Sequence, residues 1–501
     1  MHGAMRIAIA TSAKSGAQKL SVVPLPRRFL LSSFSSSSAH SETFASLHDH
    51  REFLTSQSKL PDGFSVSTRT FGFHPAELPS MDAKMTLTLL TLTDPAGAKD
   101  WTAMFTRNAF PGSPVIVGRE RLKEKGEKLR GIVVNNKISN VFPGGDGVAD
   151  AYSVAAAALK EIERTSGSCT GGFVLPSSTG VIGWRIPVAE MVREMPQLAD
   201  GLQEESVLPA AEGIMTTDLY PKVRSAEVTC ENGATGKIVA IAKGAGMVEP
   251  NMATMLVYVL TDVALEGGQD QYASSLSDAV NKTFNCISVD SDTSTSDTTV
   301  LVSSGKYTCS DAAHFNSQLF KVCRDLSDDV VRNGEGVTHV IRVNVAAAPS
   351  RRFAVGVGRA VVNSPLFKCA VHGNDPNVGR LVGAIGKYFS QLESPPPFDP
   401  LKCTVRMGDV DIFKNGHFDL DADNERKLHE HMKRAQMYES SPEVSGPAEA
   451  PSVSYSPPQS WPAHKRCVDI EVDLGMGVAA ATVLGSSLSH EYVCENADYR
   501  S

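Results

Sequence analysis

No two cysteines in this chain are spaced Cys-x-x-Cys, although nine are present, at 169, 230, 286, 309, 323, 369, 403, 467 and 494. Zinc sites need close ligand pairs, and disulfide frameworks belong mostly to short secreted chains, so the scattered thiols read as reduced. Long apolar runs are missing too: no uncharged stretch approaches the roughly 18 residues that cross a bilayer. Basic charge is not in excess, the net charge being −8 and the pI about 5.9. That excludes a broad nucleic-acid surface and favours small-molecule or protein partners. Acidic residues are absent from one region: between Met1 and Ser41 there is no Asp or Glu, whereas Arg6, Lys14, Lys19, Arg27, Arg28 and the run "SSFSSSSAHS" are there. Basic, serine-rich and acid-free is the composition of an organelle transit peptide, and the apolar centre of a secretory signal is lacking. In "RRFLLSSFSS", Arg27, Phe29 and Ser32 fit a mitochondrial presequence motif with a cut near residue 36. Residues 1–45 are therefore expected outside the fold, and the mature protein in the mitochondrial matrix.

The common catalytic signatures are also missing. "KGAGM" (243–247) and "GVGRA" (356–360) carry Gly-x-Gly, but neither completes a dinucleotide or P-loop motif. There is no HExxH, and "HEH" (429–431) falls in a charged stretch that reads as the solvated face of a helix. "DSDTSTSD" (290–297) is dense in oxygen ligands, yet it lacks the Gly and Glu an EF-hand loop needs at positions 6 and 12. Such residues are equally typical of turns and caps. No Gly-x-Ser-x-Gly elbow occurs, which excludes that type of hydrolase.

What is there is an ordinary globular composition, 42% hydrophobic over 501 residues, enough to bury a large core in two or more lobes. Strand-like and helix-like segments alternate. "GIVVNN" (131–136), "GGFVLPSST", the pair "SAEVTC" and "KIVAIAK", and "TMLVYVLTDVAL" read as strands. Residues 150–165, "VAEMVREMPQLADGL", 270–284 and 311–332 read as helices. Further strands are expected at 338–346, 404–413, 467–473 and 477–484. Short turns between strands argue against a purely parallel sheet, so the class is α/β or α+β. The Pro/Ser-rich stretch 440–465 is expected to be a flexible insertion.

One stretch carries more. "KGAGMVEPNMATML" (243–256) places glycines and Pro250 just before Thr254, which opens an apolar strand. A threonine hydroxyl is a weak nucleophile without a base, so Thr254 alone would be structural. Its surroundings, however, resemble the self-cleavage segment of the ornithine acetyltransferase family, the bifunctional glutamate N-acetyltransferases of arginine synthesis. "SSTGVIG" (177–183), "IMTTD" (214–218), "SVDSDTSTSDT" (288–298), "GEGVTH" (334–339), "HGNDPNVGR" (372–380) and the C-terminal "DLGMGVAAATVLGSSLSHEYVCENADYRS" resemble that family's blocks in the family's order. The resemblance runs from about residue 60 to 501.

The resemblance implies cleavage between Ala253 and Thr254, giving an α-chain over 46–253 and a β-chain over 254–501 that together form one catalytic unit. Cleavage would free the Thr254 α-amino group, whose ordinary pKa of about 7.7–8.0 suits a base acting on its own hydroxyl. It further implies an oxyanion hole at Thr179 and Gly180, and substrate binding by Thr217, Lys243, Thr254, Glu335, Asn496 and Ser501. Thr216 competes with Thr217 for its assignment. The implied reaction moves acetyl from N2-acetylornithine to glutamate through acetyl-Thr254. Some family members also accept acetyl-CoA, and the residues do not separate the two groups. No metal or redox cofactor is implied. The implied fold is a layered α/β sandwich with N-terminal-nucleophile-like chemistry and a smaller second lobe. The implied assembly is two α and two β chains. Two other readings stand beside it: an aminopeptidase or amidohydrolase of related fold, and a non-catalytic, uncut paralogue. The chain departs from the family at Val378, usually Trp, at "VVNNKISN" (133–140), usually NSG-rich, at the terminal Ser501, usually Thr, and in the 440–465 insertion.

Overall fold

The computed structural model describes residues 43–124, 126–168, 171–249, 255–438 and 460–497, all within one unit that begins at His40. In the strand Leu256–Leu265, Leu256, Tyr258 and Leu260 face one core while Val257 and Val259 face another. This period-two alternation explains why the run is apolar throughout: both faces of its sheet are covered.

Two sheets make the first core. One orders the strands Phe64–Phe73, Ala83–Leu92, Leu129–Asn135 and Phe173–Ser178. The other orders Trp101–Phe105, Thr298–Cys309, Leu256–Leu265, Thr235–Lys243 and Lys222–Thr229. Both are mixed. The pairings of Leu129–Asn135 with Phe173–Ser178 and of Leu256–Leu265 with Thr298–Cys309 are parallel, and a helix lies between each pair in the chain. Leu90, Ile132 and Leu175 from one sheet share a core with Val239, Tyr258 and Val300 from the other. The outer face of the first sheet packs Leu87 and Val133 against Val154, Ala158 and Met195 of the helices Gly147–Ser166 and Val188–Asp200. The outer face of the second packs Ile238 and Val257 against Leu276 and Leu319 of the helices Gly268–Lys282 and Ala312–Arg332. The result is a four-layered sandwich, helix on sheet on sheet on helix, in line with the expected mixed α/β class.

A second lobe is built on a seven-stranded sheet whose centre is Val468–Asp473, Val340–Ala348 and Ala479–Ser486. The helices Arg351–Val362, Val378–Ser390 and Ala422–Ala435 share its core. The "GVGRA" glycines lie in the first of these helices. A Cβ on Gly358 would sit 2.5 Å from Val483 Cγ2, and one on Gly356 would sit 2.2 Å from Tyr388 Oη. They serve close packing rather than a phosphate. Val378 opens its helix and is buried in the same core.

Several expectations need correction. The strand expected at 404–413 is a hairpin, Thr404–Met407 and Val410–Lys414, turning at Gly408 with φ +55°. In "HEH", His429 and Glu430 are exposed, but His431 turns to the sheet and accepts the Asp469 N–H at 3.0 Å. The stretch expected as an insertion is anchored before its end: His464 and Lys465 are buried, and Lys465 Nζ reaches Asp328 at 3.0 Å. Residues 439–459 lie outside the described residues. At the other end, Phe44 N–H already bonds Ala463 O at 3.1 Å, so the fold begins slightly before residue 46. Among the described residues the eight cysteines are free thiols, and no helix is long and apolar enough to cross a membrane.

Candidate active site

The antiparallel strands Thr235–Lys243 and Leu256–Leu265 pair up to Lys243 opposite Leu256. The stretch 244–255 is therefore the connection of one hairpin, at one end of the five-stranded sheet. Ala253 and Thr254 lie outside the described residues, as does Ser501. Beside this connection opens a cavity of about 280 Å³, lined among others by Thr179, Gly180, Thr217, Lys243, Glu335 and Asn496. These six residues, scattered over more than 300 positions of sequence, are the described members of the set that the resemblance implied. The volume suits an amino-acid-sized ligand.

Each arrives for a local reason. Thr179 and Gly180 follow the buried strand Phe173–Ser178, with Thr179 N–H bonded to Asn135 O at 3.0 Å. Gly180 has φ +122°, and a Cβ there would meet the Lys137 carbonyl carbon at 2.1 Å. Only glycine allows this approach. Lys137 itself has φ +78° and Asn140 φ +53°, so the departing block 133–140 makes its left-handed turns at residues other than glycine.

Glu335, 7% exposed, is the polar centre of the cleft. Thr217 Oγ1 donates to its Oε1 at 2.7 Å, and Asn496 Nδ2 donates to its Oε2 at 2.8 Å. Gly246 lies against the same carboxylate, where a Cβ would come within 2.2 Å of Oε2. Thr216 also lines the cavity, 3.4 Å from Lys243 Nζ, so both neighbouring threonines face the site in different roles.

Lys243 ends its strand half-buried. Burial lowers its pKa, opposed by the nearby Asp218 carboxylate. Asp218 was not legible as a site residue, though "TTDLYPK" holds it four positions from Lys222. Its carboxylate accepts from Lys222 Nζ at 2.5 Å, Thr216 N–H at 3.0 Å and Gly244 N–H at 2.8 Å. Burial alone would raise its pKa, but the Lys222 and Lys243 ammoniums outweigh this and hold it at about 2. Asp218 thus fixes the backbone on both sides of the cleft floor. Asp297 was missed as well. It is 1% exposed, and burial pushes its carboxyl well above the usual carboxylate range. No group of three or more His, Cys, Asp or Glu able to hold a metal occurs among the described residues.

The ArgJ family model matches residues 77–501. The chain belongs to the ArgJ family. An ArgJ family relative from Nostoc sp., named arginine biosynthesis bifunctional protein ArgJ 2, is 33% identical over 79% of this chain and 89% of its own. A second, from Botryotinia fuckeliana, is named arginine biosynthesis bifunctional protein ArgJ 1, mitochondrial; it is 31% identical over 90% of this chain and 91% of its own. Among solved structures, the ArgJ protein of Bacillus halodurans is 28% identical, covering 48% of this chain and 97% of that one, with a TM-score of 0.39.

Proposed function

We propose that this ArgJ family enzyme cuts itself between Ala253 and Thr254, then uses Thr254 to carry acetyl from N2-acetylornithine to glutamate. The products are ornithine and N-acetylglutamate, so acetyl is recycled in arginine biosynthesis. The observation that carries this reading is the convergence of Thr179, Gly180, Lys243 and Glu335 on one cavity beside the connection that holds Thr254. Family membership supports it.

In the first stage the Thr254 hydroxyl oxygen attacks the Ala253 carbonyl carbon. The hydroxyl proton passes to the Thr254 nitrogen as the C–N bond breaks, and an ester links Ala253 to the Thr254 side chain. Water hydrolyses that ester, leaving an Ala253 carboxylate and a free Thr254 with amine and hydroxyl. In the second stage the Thr254 amine takes the hydroxyl proton as the oxygen attacks the substrate acetyl group. The Thr179 hydroxyl and Gly180 N–H hold the negative oxygen of the tetrahedral intermediate. Ornithine leaves with a proton, and the glutamate amine then takes acetyl from the ester. Lys243 pairs with a substrate carboxylate. Glu335 holds a substrate ammonium, with Thr217 and Asn496 fixing its oxygens. Exclusion of water from the acetyl-enzyme would favour the amine acceptor over hydrolysis. The acid-free N-terminus and the relative named mitochondrial support import into mitochondria. An assembly of two α and two β chains is part of the same proposal.

Mass spectrometry of the purified protein tests the first stage. Two chains are expected, the second beginning at Thr254, and Thr254→Ala stays whole and inactive. A whole wild-type chain refutes the reading. For the second stage, ornithine release from N2-acetylornithine is measured with and without glutamate, and acetyl-CoA is assayed as a second donor. Release that ignores glutamate indicates a hydrolase instead.

A further inference from the structure

The segment Ser288 to Asp297, "SVDSDTSTSD", is no calcium loop; its end from Ser294 to Asp297 lines the cavity, and together with Thr298 it is bonded to the chain on both sides of the proposed cut. Upstream, the Asp290 carboxylate accepts two consecutive backbone N–H groups, Met247 at 2.6 Å and Val248 at 2.8 Å. Val289 N–H returns a bond to Val248 O at 2.6 Å, and Glu249 N–H reaches Asp292 O at 2.9 Å. Thr293 Oγ1 donates to Glu249 O at 3.2 Å. Downstream, Thr298 N–H, next after the segment, bonds Met255 O at 3.0 Å.

This ladder does something local sequence preference would not. Met247 has φ +55°, a left-handed conformation that an ordinary residue disfavours because its Cβ crowds the following carbonyl oxygen. Such a residue persists only where its surroundings over-determine it. The Asp290 carboxylate supplies that constraint, and it is itself braced by the Asp292 N–H at 3.2 Å and the Tyr492 hydroxyl at 3.4 Å. Only the five residues Pro250 to Thr254 separate the upstream anchor from the downstream one.

We propose that Asp290 is the positioning residue for self-cleavage: by holding Met247 and Val248 it directs the arm that carries the Ala253 carbonyl toward Thr254, while Thr298, next after its segment, fixes the other arm at Met255. This rests on the self-cleavage reading. An intramolecular attack gains rate from limiting the conformations its reacting atoms sample, and anchoring both arms does that. After the cut, the same bonds still hold Met247 to Glu249, the last described residues before the new α-chain end.

The test is a time course of full-length chain made by in vitro translation, resolved on denaturing gels. Asp290→Ala is expected to slow the first-order cleavage constant about 10–100-fold. Asp290→Asn, which keeps the shape and one acceptor oxygen, falls between it and wild type and guards against a folding defect. Asp262→Ala is the structural control. Asp262 is buried and likewise accepts two backbone N–H groups, from Lys237 at 2.6 Å and Asp62 at 3.0 Å, but away from the cut. It should lower the melting temperature yet cleave at the wild-type rate. Asp290→Ala chains that have been cut should transfer acetyl within about threefold of wild type per cut molecule. Wild-type-like cleavage by Asp290→Ala, or equal slowing by Asp262→Ala, overturns the proposal. A wild-type chain that never cuts instead overturns the self-cleavage reading beneath it.

Discussion

Asn496 and Glu335 stand 161 positions apart and meet in the cleft, the Asn496 amide donating to Glu335 Oε2 at 2.8 Å. Thr217 holds the other oxygen from 118 positions upstream. One carboxylate thus ties together the segments before and after the proposed cut and the last helix of the chain.

Glu335→Gln keeps this shape but removes the charge. A hydrogen bond to a charged group contributes about 1.5–3 kcal/mol, which corresponds to roughly 10–150-fold. We therefore expect kcat/KM for N2-acetylornithine to fall about that much, with little change in melting temperature. Steady-state kinetics check this, and an unchanged kcat/KM would remove Glu335 from substrate binding.

At Gly180 the constraint is steric. A methyl group there would overlap the Lys137 carbonyl in a backbone conformation that already disfavours side chains. Gly180→Ala must displace its own N–H from the cleft. Loss of one oxyanion donor costs about 10²–10³ in kcat, and that fall is the expected outcome. A variant with wild-type kcat would show that the Gly180 N–H does not serve the intermediate.

How much of this was legible follows from the length scale of each signal. The two strands that flank Thr254 were readable because their residues are apolar and rich in Val and Ile, whereas their pairing with each other emerged only from the fold. The strand Thr298–Cys309 was not: its second half, "SSGKYTC", mixes small and polar residues and passes an irregularity in register. The hairpin at Gly408 was read as one strand because both arms share an apolar period. Thr179, Gly180, Lys243 and Glu335 were identified by resemblance to family blocks, and their convergence is a property of the fold. Asp218 and Asp290 were left out because what they fix in the site is backbone N–H groups, at Thr216 and Gly244 and at Met247 and Val248, which every residue carries and no side-chain pattern announces.

The second lobe should make the protein acid-sensitive. His339 is buried between Thr338 and Asn374, with ring contacts of 2.9 and 3.1 Å. Burial lowers its pKa from the usual 6.5 to about 4 against the opposing Asn374 bond. His464 is likewise brought to about 4, by burial and then Arg466. Both are favoured neutral in the fold, so their contribution is complete above about pH 6.5 and is lost as the pH falls toward 4. Melting temperature should drop over that window. His339→Gln should lower the plateau at pH 7 and flatten the drop. Asp290 and Asp297, whose carboxyls are raised by burial, act in the opposite sense but are common to both proteins. Parallel curves for wild type and His339→Gln would refute the assignment.

Cleavage should not separate the two chains. The five-stranded sheet interleaves them: Trp101–Phe105, Thr235–Lys243 and Lys222–Thr229 precede the cut, and Leu256–Leu265 and Thr298–Cys309 follow it. Thr235–Lys243 pairs with Leu256–Leu265 from Ile238 opposite Thr261 to Lys243 opposite Leu256, across the boundary itself. The inner core mixes Val239 and Ile241 with Tyr258 and Leu260, all buried. Pulling the chains apart would expose that core and an open sheet edge, at roughly 1.5–3 kcal/mol for each large apolar side chain returned to water. Native size-exclusion chromatography should therefore give one particle that contains both chains, while a denaturing gel gives two bands. Partial dissociation at low concentration would mean that the sheet alone does not hold the cut enzyme together.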